Sequence, residues 1–292
     1  MNNQKPSPAN WMLLILLALI WGSSYILIKY ALKVFTPLQL ASLRVTIAFV
    51  ALLPFLFVWQ LKNLTAKQWL YVALVGLLGS ALPAILFATA QTKISSSLAA
   101  ILNALVPLFT LLVGAFFFKE NLNNFKIAGV LLGIIGCGAT IFIRSNGLLD
   151  GNNLFALLVI VAGICYGIAT NILKRGLSGL PAIGLTAWSF VFVGPVAAAI
   201  AYQSGAIEVF KTNPEAWKAL GYLAILGVMG TAVAISLFNV LIQKTTALFA
   251  STCTYLIPVV AVLWGLNDGE VIHAVDLVGL GCILLGIYLT GK

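Results

Sequence analysis

The residues best suited to chemistry are polar and aromatic side chains inside long apolar segments. In the first such segment Trp21, Tyr25 and Lys29 recur at four-residue intervals, with Ser24 beside them. Side chains four residues apart lie on one face of a helix. Aromatic rings next to a hydroxyl suit an amphipathic solute. Alternatively, the rings pack inside a helical bundle and Lys29 extends to the membrane surface.

Other apolar segments carry further candidates, and polar groups at membrane depth usually face a cavity or another helix. Asn103 and Thr254 each stand four residues before a proline. A proline inside a helix frees a backbone carbonyl, so Pro107 and Pro258 are predicted hinges. Asn103 suits a solute contact and an interhelical hydrogen bond equally well. The other predicted cavity residues are Tyr166, Thr170, Asn171, Trp188, Ser236, Asn239 and Tyr255.

Three charged residues have two interpretations each. Arg44, about two turns into the second apolar segment, could clamp an anionic group of a solute. It could instead have a structural role, bonding to carbonyls near a helix end or reaching the surface. Glu120 and Glu270 follow the fourth and ninth apolar segments at matching positions. This duplication favours a capping or gating role over solute contact.

The composition indicates an all-α integral membrane protein. Of the 292 residues 62% are hydrophobic and 8% are charged, and the mean hydropathy is +1.09. Soluble domains carry about 25% charged residues. The net charge of +9 is scattered, which excludes a nucleic-acid-binding patch. Four cysteines without a CxxC pair and a single histidine predict no metal site and no cofactor.

Ten segments are apolar enough to be membrane helices, which need about 20 residues each. They span 11–30, 38–58, 67–90, 97–118, 126–143, 153–173, 181–203, 217–240, 247–266 and 274–290. Nine lysines and arginines fall on the side of the N-terminus and six on the opposite side. Cytoplasmic loops carry the excess of positive charge, so both termini are predicted to lie in the cytoplasm.

The two halves of the chain form an internal repeat. Residues 76–107 match 227–258 at a constant offset of 151, and Gly22 and Lys29 match Gly167 and Lys174 at an offset of 145. We therefore divide the chain into residues 1–145 and 146–292. Each half contains five predicted spans, an odd number, so the two halves should cross the membrane in opposite directions.

The chain resembles the EamA-type members of the drug/metabolite transporter superfamily over about residues 10–290. The resemblance rests on the run Trp21 to Ser24, the spacing from Pro37 to Arg44, and a proline–glycine–glutamate pattern in segments four and nine. It implies ten transmembrane helices in two inverted five-helix repeats. Family members carry amino acids, nucleobases, sugar phosphates or drugs. The second half departs from the pattern, because Trp188 aligns with Arg44.

These observations predict a secondary transporter of the cytoplasmic membrane that exports amino acids or similar amphipathic solutes by alternating access. Without an acidic residue near the middle of any span, exchange of protons for cationic drugs is disfavoured. The alternatives are a carrier of lipid-linked sugars, nucleobases or drugs, a channel, and a membrane-embedded enzyme. The expected partners are a small-molecule substrate and the lipid bilayer, with the protein a monomer or weak dimer.

Overall fold

The structure, a computed structural model, describes residues 7–58, 61, 63–118, 123–144 and 154–290 of the chain. Every regular element in these residues is a helix. The helices are α1 (Pro8–Ala31), α2 (Pro37–Val58), α3 (Ala66–Gly76), α4 (Leu82–Ala90), α5 (Ser96–Asn103), α6 (Val106–Phe118), α7 (Asn124–Arg144), α8 (Leu154–Gly176), α9 (Ala182–Gln203), α10 (Ala206–Thr212), α11 (Ala216–Gly227), α12 (Ala234–Lys244), α13 (Ala247–Ser251), α14 (Ile257–Asn267) and α15 (Ala274–Thr290).

Eight helical stretches of the described residues are long and apolar enough to cross a membrane. They are Pro8–Ala31, Pro37–Val58, Ala66–Ala90, Ser96–Phe117, Leu154–Gly176, Ala182–Gln203, Ala216–Lys244 and Phe249–Asn267. The remaining predicted spans coincide with α7 and α15, whose apolar stretches are shorter. The prediction of an all-helical, multi-pass membrane protein is therefore confirmed.

Side-chain caps determine where several helices begin. The Ser95 hydroxyl accepts a hydrogen bond from the Leu98 backbone N–H at the start of α5. At α3, the Thr65 hydroxyl accepts from the Gln68 N–H, and the Gln68 side chain accepts from the Thr65 N–H. These bonds satisfy backbone donors that have no partner in a first helical turn.

Four membrane helices are interrupted near their middle. A π-helical turn over Leu77–Ala81 joins α3 to α4, and another over Val228–Val233 joins α11 to α12. The second pair of breaks separates α5 from α6 and α13 from α14. Helix α5 ends three residues before Val106, the first residue of α6, and a 3-10 turn over Thr252–Tyr255 lies between α13 and α14.

The predicted hinge prolines lie beside this second pair of breaks. Pro107 is the second residue of α6, and Pro258 is the second residue of α14. Proline is tolerated in the first turn of a helix, where its missing N–H would have no partner. Both predicted hinge prolines therefore lie in the first turn of a helix.

The two halves of the chain interdigitate. Helix α1 of the first half packs against α11, α12 and α14 of the second, whereas α8 packs against α4 and α6 of the first. Helix α2 pairs with α9, and α7 pairs closely with α15. The α7–α15 contact needs small residues, since a Cβ on Gly136 would lie 2.6 Å from the Cys282 Cβ. The candidate functional site lies in the space between the two halves.

Candidate functional site

A cavity of about 110 Å³ lies where helices of the two halves meet. Its wall comes from α1, α2, α8 and α9 and from the four interrupted helices, and most of its side chains are apolar or aromatic. Nine residues proposed from the sequence line it: Trp21, Ser24, Tyr25, Arg44, Asn103, Tyr166, Thr170, Asn239 and Thr254.

Helix α1 contributes an aromatic face. The Trp21 Nε1–H donates to the Gly230 carbonyl at 3.0 Å, and its ring meets Phe238 edge-on with centroids 5.2 Å apart. Tyr25 meets Phe87 in the same manner at 5.7 Å. Edge-to-face packing holds aromatic rings in defined orientations. The α1 face is thereby tied to the second half of the chain through Gly230 and Phe238.

Arg44 reaches the cavity from α2 and is held by the π-helical turn of the other half. Its Nε donates to the Thr231 hydroxyl at 2.8 Å, and one Nη donates to the Gly230 carbonyl at 3.4 Å. The Thr231 hydroxyl in turn donates to the Leu226 carbonyl at 2.8 Å. The irregular turn therefore supplies acceptors for Arg44, and such π-helical turns inside α-helices are frequent at functional sites.

Amide and hydroxyl groups complete the wall. Asn103 is 5% exposed, and its Oδ1 is buried without a hydrogen-bond partner among the described residues. The Asn239 amide donates to the Thr186 hydroxyl at 2.9 Å. The Thr254 hydroxyl donates to the Ser251 carbonyl at 2.8 Å. Most of these polar groups are satisfied locally, so the Asn103 oxygen is an exception to the rule that buried polar atoms are paired.

Four predicted cavity residues lie off the wall. The Asn171 amide bridges α8 to the Thr110 carbonyl at 2.8 Å. Trp188 packs edge-on against Trp69, with ring centroids 5.3 Å apart. The Ser236 hydroxyl donates to the Ala232 carbonyl in the π-helical turn before α12, at 2.7 Å. The fourth, Tyr255, packs against a buried apolar core that includes side chains of α5, α6 and α8, and its hydroxyl is buried.

Sequence reasoning missed several residues of the wall. They include Gly79, Phe87, Val106, Ser189, Gly230, Phe238 and Ile257. A signal was present, because Gly79, Phe87 and Val106 match Gly230, Phe238 and Ile257 at the repeat offset of 151. Residue pairs shared by two halves are candidates for a surface that both halves build.

A group of ionic and hydroxyl side chains lies at the end of α1 beyond the cavity. We call it the Lys29 cluster; its members are Lys29, Tyr30, Ser96, Ser97, Asp268 and Glu270. The Lys29 Nζ lies 2.7 Å from an Asp268 carboxylate oxygen and 2.8 Å from a Glu270 oxygen. The Tyr30 hydroxyl donates to Asp268 at 2.5 Å. The Ser96 and Ser97 hydroxyls each donate to a Glu270 oxygen at 2.6 Å.

Glu270 also caps α5, because its carboxylate accepts the backbone N–H groups of Ser96 and Ser97. Burial would raise its pKa, but hydrogen bonds from Lys29 and both serines outweigh burial and lower the pKa to about 2. Hydrogen bonds from Lys29 and Tyr30 lower the pKa of Asp268 below its ordinary value. Both carboxylates are therefore ionised at neutral pH. The equivalent Glu120 lies outside the described residues.

Lys174 lies at the other end of the molecule. Its Nζ donates to the Ile242 carbonyl at 2.8 Å and to the Thr245 carbonyl. Four residues beyond Thr245, Phe249 packs edge-on against Trp11 in the first turn of α1. Lys174 is thus near the start of α1, whereas Lys29 is near the end of α1. The Lys174 ammonium also compensates the partial negative charge at the C-terminus of α12.

Comparison with known proteins identifies related sequences. The model of the EamA-like transporter family matches residues 9–142 and 153–292. The uncharacterized inner membrane transporter YedA of Escherichia coli K12 is 29% identical over 278 residues, covering 94% of this chain and 88% of the relative. A probable terminal-alkyne amino-acid exporter of Streptantibioticus cattleyicolor is 25% identical over 293 residues, covering 99% and 95%.

A solved crystal structure shares the fold. It superimposes with a TM-score of 0.66 at 16% sequence identity, covering 97% of this chain and 96% of the other. The family model matches nearly the whole chain, and the curated relatives are transporters, which excludes the membrane-embedded enzyme. The chain belongs to the EamA-like transporter family.

Proposed function

We propose that this protein is an alternating-access carrier that exports amino acids or similar small amphipathic solutes across the cytoplasmic membrane. The observation that carries the proposal is that the two halves of the chain build one cavity from matching positions. Twenty of the twenty-five lining residues form ten such pairs. At an offset of 145 they are Trp21–Tyr166, Ser24–Ala169, Tyr25–Thr170, Ile28–Leu173 and Arg44–Ser189; at 151 they are Gly79–Gly230, Ala84–Ile235, Phe87–Phe238, Asn103–Thr254 and Val106–Ile257.

The proposal includes ten membrane crossings in two inverted repeats, residues 1–145 and 146–292. The matched interruptions support it, because the π-helical turns at 77–81 and 228–233 are related by the same offset as the matched wall residues. When two inverted halves exchange conformations, a cavity open on one side becomes open on the other. With α7 and α15 counted, each half crosses five times, and the lysine and arginine distribution then supports a cytoplasmic location for both termini.

In this scheme the Lys29 cluster closes the non-cytoplasmic end of the cavity. Ile28 and Tyr25 line the cavity, and Lys29 follows them directly on α1. The cluster joins α1 to the start of α5 and to the segment that follows α14, which belong to different halves. Breaking these contacts would free that end to open.

The amino-acid assignment has two supports. The wall combines aromatic rings with amide and hydroxyl groups, which suits a solute with one polar and one apolar end. One relative is named a probable amino-acid exporter. Carriers of nucleobases, drugs or lipid-linked sugars remain the competing assignments within the family fold.

The test is counterflow in proteoliposomes loaded with unlabelled solute, with entry of labelled solute followed over time. Saturable uptake that depends on the internal pool is expected for one or more amino acids. Trp21→Ala should alter the kinetics, whereas Trp11→Ala, on the same helix but 50% exposed, should not. Uptake of nucleobases or sugars alone would overturn the substrate assignment. Linear uptake without dependence on the internal pool would overturn the carrier mechanism.

A further inference from the structure

The cavity wall has an uncompensated positive charge. Among the described residues that line it, Arg44 is the one side chain that is charged at neutral pH. The hydrogen bonds that hold Arg44 go to neutral groups, the Thr231 hydroxyl and the Gly230 carbonyl. A charge at membrane depth is costly unless it is paired. An anionic group on the bound solute would compensate it.

Arg44 is positioned to bind such a group. A guanidinium has five N–H donors, and these two bonds use two of them. Because both acceptors belong to one π-helical turn, the planar fork is oriented before a solute arrives. The unused donors suit a carboxylate, which guanidinium groups bind in a bidentate manner.

A second unsatisfied group on the wall has the opposite polarity. The Asn103 Oδ1 is a buried acceptor without a partner among the described residues, at the end of α5. An N–H donor of the solute would satisfy it. The same wall carries aromatic rings, with Phe87 in contact with both Tyr25 and Tyr166.

We propose that Arg44 binds the carboxylate of the solute, that Asn103 accepts a hydrogen bond from its amino group, and that the apolar body lies on the aromatic rings. This inference rests on the proposed carrier function and adds a charge rule to it. Solutes with a carboxylate are bound whether or not they carry an ammonium group, and cations without a carboxylate are rejected.

Three probes of nearly equal size test the rule: phenylalanine, its carboxamide, which is a cation, and 3-phenylpropanoate, which lacks the amino group. Binding to the purified full-length protein is measured by thermal shift, and transport by counterflow. For the wild type we expect phenylalanine to bind about 10- to 100-fold more tightly than the carboxamide, the range for one charge-assisted pair. Equal binding of the two would overturn the proposal without any variant being made.

Two variants assign the roles. Arg44→Gln should weaken phenylalanine and 3-phenylpropanoate by a similar factor of about 10 to 100. Asn103→Leu should weaken phenylalanine by about tenfold and leave 3-phenylpropanoate nearly unchanged. Ser236→Ala, a polar residue off the wall, is the matched control and should change neither. Equal loss of both probes in Asn103→Leu, or no loss in Arg44→Gln, would contradict the assignment.

The outcomes separate this inference from the carrier proposal. If Arg44→Gln unfolds, Arg44→Lys keeps the charge without the fork and should still prefer phenylalanine over the carboxamide, by a smaller factor than the wild type. Counterflow of neutral or cationic solutes with no response to carboxylates would overturn the charge rule and leave the carrier standing. Absence of counterflow with every solute would instead remove the carrier function on which the rule rests.

Discussion

The two ends of the molecule use matching lysines in different ways. Lys29 and Lys174 occupy equivalent repeat positions, 145 residues apart. Lys29 forms ion pairs with two carboxylates, whereas the described partners of Lys174 are backbone carbonyls of α12 and the turn that follows it. The same repeat position therefore joins the two halves of the chain where it is Lys29 and caps a single helix where it is Lys174. In the proposed carrier, this difference distinguishes the closed end from the other.

The largest effect is expected from removing the charge of Lys29. Lys29→Gln leaves the Glu270 carboxylate, whose side chain is 5% exposed, without its cation. Losing one partner of a buried pair costs about 3–5 kcal/mol, and the cost here is at the lower end, about 3 kcal/mol, because the Lys29 side chain is 31% exposed. The counterflow rate should therefore fall by about tenfold or more, because the closed end no longer forms.

The matched control for that experiment is Lys174→Gln. Its loss is limited to charge-assisted hydrogen bonds with carbonyls, worth about 1.5 kcal/mol each, and the glutamine amide can still donate to one of them, so its counterflow rate and unfolding temperature should stay closer to those of the wild type. If Lys174→Gln had an effect as large as that of Lys29→Gln, the two lysines would contribute equally, and the proposed difference between the two ends of the molecule would be wrong.

An intermediate effect is expected at the serines. The double variant Ser96→Ala and Ser97→Ala removes two hydroxyl donors to Glu270 but retains the backbone N–H groups that also bind it. The expected destabilisation is about 1–3 kcal/mol, measured as a lower midpoint of thermal unfolding. Adding Glu270→Gln should then cost less than it does in the wild type, since the two changes affect one network. If the stability losses of the serine double variant and of Glu270→Gln simply added, the serines and Glu270 would not form one hydrogen-bond network.

The smallest effect is expected from pH. The folded pKa of Glu270, about 2, is lower than the ordinary glutamate value of about 4.3. The stabilisation from its ionised form is therefore complete above the ordinary value and is lost as the pH falls through 2. The unfolding midpoint should show no transition assignable to Glu270 between pH 5 and 8. A transition there that disappears in Glu270→Gln would contradict this assignment.

Helical periodicity predicted much of the fold and some of the site. The spacing of Trp21 and Tyr25 brought both onto one face, and the structure places both on the cavity wall. Periodicity could not choose between Thr170 and Asn171, which are about 100° apart on α8. Thr170 faces the cavity, while Asn171 bonds to α6.

Other features depend on long-range geometry. The partner of Arg44 in the repeat depends on the offset: the alignment with Trp188 pairs it with a residue off the wall, whereas the offset of 145 seen in α1 and α8 pairs it with Ser189 on the wall. The contact of Lys29 with Glu270 joins residues 241 apart in the chain, which no local pattern encodes. The unpaired oxygen of Asn103 likewise becomes visible once its neighbours are known.

The most direct test of alternating access is sided labelling of a cavity thiol. Thr254→Cys, in a background in which the four native cysteines are replaced, is treated with a membrane-impermeant maleimide from each face of the membrane. Faster labelling from the cytoplasmic face than from the opposite face is expected in the otherwise wild-type protein, and Lys29→Gln should raise the labelling rate from the opposite face. Labelling that stays confined to one face in both proteins would contradict alternating access, and a labelling rate from the opposite face that Lys29→Gln leaves unchanged would contradict the role given to the Lys29 cluster.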